Sequence, residues 1–207
     1  MGMANPMPPT PNLRPLLAQG MHALSRGRVP EVVALVESKP MLAANLLELL
    51  WDDDPGIAQR AADVLERISR QPSPALEQIL ETSKDALLGL LSEAQLKKLR
   101  WNLALVIGRL PLTLPDCRRA SSALYTYLDD PGSIVKTAAL QGLADLTRHD
   151  PSMLPSVLDL LRIHGRGGTA AMRARSRILL KRLETSKEIA NPPSTTRPTA
   201  RAHHPTG

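Results

Sequence analysis

Phenylalanine is missing from the 207 residues, and two tryptophans and two tyrosines are the only aromatic side chains. A chain this poor in rings lacks the stacking platforms that hold single-stranded nucleic acid. It also lacks the aromatic and β-branched richness of β-sheet cores, so its interior must be built from Leu, Ala, Val and Ile. Cysteine occurs once, at Cys117, which excludes an intramolecular disulfide and suits a reducing compartment. No apolar run approaches the ~18 residues a membrane span needs. The first residues carry prolines where a secretory leader would carry charge and then a hydrophobic stretch, and Pro6 stands where a myristoylation signal wants Ser or Thr. These absences predict a cytoplasmic protein without membrane insertion.

Catalytic and metal-binding patterns are also lacking. His22, His149, His164, His203 and His204 include no pair at zincin spacing with a Glu between. Cys117 has no histidine near it in sequence and reads as an inert, buried thiol. The run Gly165-Arg166-Gly167-Gly168-Thr169 mimics a dinucleotide fingerprint, but no strand precedes it, so it reads as a hairpin joint. The expectation is a non-enzymatic chain with no catalytic residues, cofactor, metal or small-molecule substrate.

What the chain does have is a recurring twelve-residue pattern, apolar at positions 1, 5, 8, 9 and 12. Its copies are Ile57 to Ile68, Leu99 to Leu110, Val135 to Leu146 and Met172 to Leu183, beginning 42, 36 and 37 residues apart. At ~100° per residue those positions form one buried stripe on a helix. The period is that of stacked helical hairpins. Small residues in the stripe (Ala61, Ala139, Gly142, Ser176) allow close helix approach. Each copy therefore reads as the second helix of a hairpin. The first helices fall at Met41 to Trp51, Pro74 to Leu91, Asp116 to Leu128 and Ser152 to His164, with Trp51 in the core. Asp54-Pro55, Asp130-Pro131 and Asp150-Pro151 are read as helix openings, in which Asp caps and Pro fills a first-turn position.

The second-helix signature, an apolar-basic start with an Ala/Leu-rich continuation, is carried by Val135-Lys136 with Ala139, Leu143 and Leu146, by Leu99-Arg100 with Ile107-Gly108 and Leu110, and by Met172-Arg173 with Leu180 and Leu183. On these residues, over about positions 41 to 184, the chain resembles the HEAT-repeat family. That resemblance implies an all-α, right-handed α-solenoid of about four to five stacked antiparallel hairpins. Repeats are expected at about 41–69, 74–111, 116–147 and 151–184, within a repeat domain spanning 39–185. Residues 12–38 are expected to form capping helices (Asn12 to Ser25 and Pro30 to Ser38). The Pro-rich segment 1–11 and the basic Pro/Thr-rich tail 186–207 are expected to be disordered.

Charge supplies the functional clue. Residues 1–161 hold 16 Lys or Arg against 18 Asp or Glu, whereas residues 162–207 hold 10 against 2. Arg173, Arg175, Arg177, Lys181 and Arg182 occupy every side of the final helix except its buried stripe, with Arg166 beside it, and nominate it for an acidic partner; the alternative is a soluble end cap. Arg100, Lys136 and Arg173 share pattern position 2, and pairing with Asp53, Asp54, Asp129 or Asp130 is favoured over partner contact. Trp101 is the candidate exposed aromatic unless the stems of Lys97 and Lys98 cover it. The expected function is a HEAT-like adaptor or scaffold binding an acidic protein or peptide. The alternative is nucleic-acid binding through phosphate contacts, extending to a HEAT-like DNA repair glycosylase, although no catalytic residue of such enzymes has a match here.

Overall fold

Four amphipathic stripes determine how the chain packs. The computed structural model describes residues 12–20 and 26–190, with side chains up to Thr185. Among these residues every regular element is helical: α1 (Arg14–Ala18), α2 (Val29–Ser38), α3 (Leu42–Glu48), α4 (Pro55–Ile68), α5 (Pro74–Thr82), α6 (Lys84–Glu93), α7 (Lys97–Ile107), α8 (Leu114–Tyr127), α9 (Ser133–Leu146), α10 (Leu154–Gly167) and α11 (Ala170–Ala190). The four pattern copies lie on α4, α7, α9 and α11, except that the second, expected to be helical to Leu110, runs past the end of α7 at Ile107 and places Leu110 in the turn beyond it. Every stripe residue is buried except Leu180, which is half-buried. α4 packs on α7, α7 on α9 and α9 on α11, while α6, α8 and α10 pack against α7, α9 and α11 respectively.

α7 and α9 approach closely. A Cβ placed on Gly142 would sit 2.5 Å from the Ala104 carbonyl oxygen, so only glycine allows this spacing. Gly108 meets Asp145 in the same crossing. Polar clamps add register to the apolar contact. The Tyr127 hydroxyl of α8 donates to the Leu91 carbonyl, one of the acceptors left open in the last turn of α6. Tyr127→Phe removes that donor from a buried acceptor, so a loss of about 1–2 kcal/mol is expected, readable as a lower urea midpoint at unchanged slope. At the N-terminal end, buried Arg60 on α4 donates from Nε to the Leu17 carbonyl. Asn45 Oδ1 accepts from the Leu13 amide at 3.0 Å, and Arg14 pairs with Asp52. Gly27, with φ of 48°, turns the chain into α2.

Several boundaries differ from the sequence reading. The helix expected over Pro74 to Leu91 is two, α5 and α6, broken at Ser83; Leu76, Leu80, Leu87 and Leu91 are all buried, so the stripe runs across the break and conceals it. Met41 to Trp51 ends in a 3-10 turn at Leu49–Trp51, which buries Leu49 and Leu50 and leaves Trp51, expected in the core, 49% exposed. Asp54 does cap α4, its Oδ1 accepting from Gly56 and Ile57, and Asp150 opens a 3-10 turn. Asp130 does not cap α9. Gly132 is the N-cap there, and Asp130 binds the Gly132 amide and Arg100 instead. α8 starts at Leu114, ahead of the expected Asp116, through a Thr113/Asp116 capping box. Gly165 and Gly167, read as part of a joint, belong to the last turn of α10. The first capping helix spans only Arg14–Ala18, while positions 21–25 lie outside the described residues. Segment 1–11 and the tail from 191 also lie outside them; α11 runs to Ala190, past the expected tail start at 186.

Candidate functional site

α4, α7, α9 and α11 leave three hollows along one of their surfaces. A polar basin of about 490 Å³ is lined by Glu66, Arg70, Leu105, Arg109, Gln141, Asp145, Arg148, Arg175 and Arg182. A mostly apolar hollow of about 280 Å³ is lined by Trp101, Leu105, Ser133, Ile134, Thr137, Ala138, Gln141, Ala171 and Arg175. A third, of about 480 Å³, is lined by Arg26, Asp63, Glu66, Arg67, Arg70, Lys97, Lys98, Trp101, Asn102 and Leu105. They are contiguous: Leu105 lines all three, Trp101 joins the second to the third, and Gln141 and Arg175 join the first to the second. Together they form a groove with nine basic side chains against three carboxylates.

The carboxylates hold the groove's walls in place. Glu66, 4% exposed, accepts from Arg109 Nη2 on α7's C-terminal side at 2.8 Å and from Arg70 Nη2 at 2.8 Å. Asp63 pairs with Arg67 at 3.0 Å and with buried Lys98 at 3.3 Å. Asp145 accepts from Gln141 and from Arg182 of α11, the latter at 2.8 Å. Arg175 donates to Gln141 at 3.1 Å, and Arg148 donates from Nε to His149 Nε2 at 2.9 Å. Arg148 and Arg175 are thus held by neutral partners and keep their charge facing the groove. Asn102 is buried; its Oδ1 accepts from Trp101 Nε1 at 2.9 Å and fixes the indole, while its Nδ2 is unpartnered.

Burial alone would raise the Glu66 pKa, but hydrogen bonds and charge from Arg70 and Arg109 outweigh it and hold the carboxyl below its usual range. The hydrogen bonds from the Thr113 amide and hydroxyl depress Asp116 similarly, aided by Lys84. A folded-state pKa below the unfolded value stabilises the fold above about pH 4, and that contribution is lost as pH falls through the folded pKa. The thermal midpoint is therefore expected to drop steeply from about pH 5 to pH 3, with a shallower drop in Glu66→Gln. Equal slopes in the two proteins would contradict this assignment.

The residues nominated from sequence divide three ways. Trp101, Arg175 and Arg182 line the groove. Trp101 is half-buried against the core, beside Lys97 and Lys98. The position-2 ladder faces elsewhere. Arg100 lies 4.1 Å over the Tyr127 ring and pairs with Asp130. Lys136 is close enough to His164 of α10 to help burial lower the histidine's pKa. Arg173 donates to the Gly168 carbonyl at 2.6 Å. Arg166, Arg177 and Lys181 are exposed and line none of the three hollows. Arg177 and Lys181 occupy positions 6 and 10, which in the second copy hold Ala104 of α7 and its C-cap Gly108 against the following helix. They belong to the outer side of α11, and no helix follows it among the described residues.

Sequence reading missed Arg70, Arg109 and Arg148. The signal was there: Arg67, Arg109 and Arg182 share pattern position 11, and Arg70 and Arg148 share position 14. Positions 2 and 11 are nine residues, or about 900°, apart and so point to opposite sides of the helix. The position-2 ladder therefore lies away from the groove. Comparison with family models, with curated proteins and with solved structures found no match to this chain.

Proposed function

We propose that the chain is a HEAT-like α-solenoid adaptor, of right-handed sense, whose groove binds an acidic peptide segment of another protein. In this reading α4, α7, α9 and α11 are the inner layer of successive hairpins, and α1 and α2 cap the N-terminal end. Support for the solenoid comes from the repeat period and from the serial packing of the four pattern-bearing helices. The observation that carries the binding reading is an apolar hollow, with Trp101 and the 47%-exposed Ile134 on its wall, continuous with an arginine-lined basin. Such a pairing accepts one bulky apolar side chain and neighbouring carboxylates, the recognition mode of a charged segment with a hydrophobic anchor.

Duplex DNA makes little use of an apolar pocket, and the carboxylates Glu66 and Asp145 in the basin oppose a continuous phosphate backbone. The test is selection from a random peptide display library on the immobilised protein. Enriched sequences should pair a Leu, Met or aromatic residue with flanking Asp or Glu, and should lose binding to Trp101→Ala. Enrichment without acidic residues would overturn the reading. So would tighter binding of duplex DNA with a log-log salt slope of several units, at about −0.9 per phosphate contact.

A further inference from the structure

The basin is more selective than a merely positive surface. Its basic residues are all arginine, drawn from the α4, α7, α9 and α11 segments, whereas lysine enters only in the neighbouring hollow. Its two carboxylates are already engaged: Glu66 by Arg70 and Arg109, Asp145 by Gln141 and Arg182. Five guanidinium groups against two carboxylates leave an excess of three positive charges. A single incoming carboxylate would only repeat what Glu66 and Asp145 already supply. A dianion that accepts several forked N–H bonds at once matches guanidinium geometry and offsets most of the remaining charge.

We propose that the arginine basin receives a phosphorylated serine or threonine of the acidic partner segment, with Arg148 and Arg175 as its first contacts and the partner's apolar anchor in the hollow beside Trp101. This rests on the peptide-binding reading above. Leu105, Gln141 and Arg175 form the wall common to basin and hollow, so phosphate and anchor are separated by roughly two to four residues of extended chain. The phosphate is a localised ligand here, because Glu66 and Asp145 interrupt the positive charge along the groove and the hollow beside Trp101 is mostly apolar.

The experiment is fluorescence anisotropy at physiological salt with short synthetic peptides. Each has a leucine and, at two-, three- or four-residue spacing, phosphoserine, serine or aspartate, in glutamate-alanine flanks; a duplex DNA oligonucleotide is the separate arm. At one spacing the phosphoserine peptide should bind about tenfold or more tighter than its aspartate counterpart. Arg148→Gln with Arg175→Gln should abolish that preference, and Arg148→Lys should weaken it despite keeping the charge. Both arginines are exposed and bond only side chains on α9 or just beyond it, so these variants are expected to fold, and circular dichroism checks it. Equal binding of phosphoserine and aspartate peptides would overturn this proposal while leaving the acidic-peptide reading intact. Binding of the DNA alone, or of no probe, would overturn both.

Discussion

Gly142→Ala is expected to destabilise the protein by about 2 kcal/mol, although alanine is the better helix former by roughly 1 kcal/mol. The added methyl would stand 2.5 Å from the Ala104 carbonyl oxygen and 2.9 Å from Leu124 Cδ1. The first of these atoms is backbone and cannot swing aside. α7 and α9 must therefore separate, which loosens the contact of Leu103, Val106 and Leu143 with the surrounding core. Gly89→Ala on α6 is the matched control, because nothing lies within 4 Å of its added Cβ. That substitution should gain up to about 1 kcal/mol from helix propensity and reduced unfolded-state freedom. Thermal midpoints read both: at about 2–4 °C per kcal/mol for a chain this size, the two variants should move in opposite directions. A Gly142→Ala protein as stable as Gly89→Ala would mean that the α7–α9 crossing is not tight.

Charge reversal in the groove is expected to have the largest effect on binding. Arg148→Glu with Arg175→Glu should weaken a selected acidic peptide by about a hundredfold, or ~2.7 kcal/mol, since two attractions become two repulsions beside the apolar anchor. Folding stability should stay within about 0.5 kcal/mol, because both side chains are exposed and their hydrogen bonds go to neutral partners. Arg166→Glu with Arg177→Glu changes net charge equally but on side chains outside the groove. It should alter affinity only a few-fold, chiefly through the association rate. Competition binding at two salt concentrations separates the pairs. If the two double variants lose affinity equally, the peptide is held by overall charge and not by the groove.

The difference between those variants marks what the amino-acid order reveals. Stripe positions 1, 5, 8, 9 and 12 are apolar because they are buried, so α4, α7, α9 and α11 were legible from period alone. The break at Ser83 was not, because Leu76, Leu80, Leu87 and Leu91 keep helical spacing through it. At the candidate site, Trp101, Arg175 and Arg182 could be nominated from charge and exposure. Their separation from Arg166, Arg177 and Lys181 could not, since a charge count treats all sides of α11 alike. Arg100 illustrates the same limit: its place over Tyr127 and against Asp130 depends on α8 and the following turn, 27 to 30 residues away in sequence. The groove arginines at position 11 recur as regularly as the position-2 ladder, in three copies of four, and position 14 adds arginine in two. Choosing between the ladders required knowing which side of each helix is covered by α8 and α10.

The proposed binding surface is the groove across α7, α9 and α11, and not the outer basic side of α11. Its most direct test is a backbone and indole nitrogen-15 spectrum titrated with a library-selected acidic peptide. The largest shifts are expected at the Trp101 indole and at Leu105, Thr137, Gln141 and Arg175. Shifts confined to Arg166, Arg173, Arg177 and Lys181, with the Trp101 indole unmoved, would contradict it.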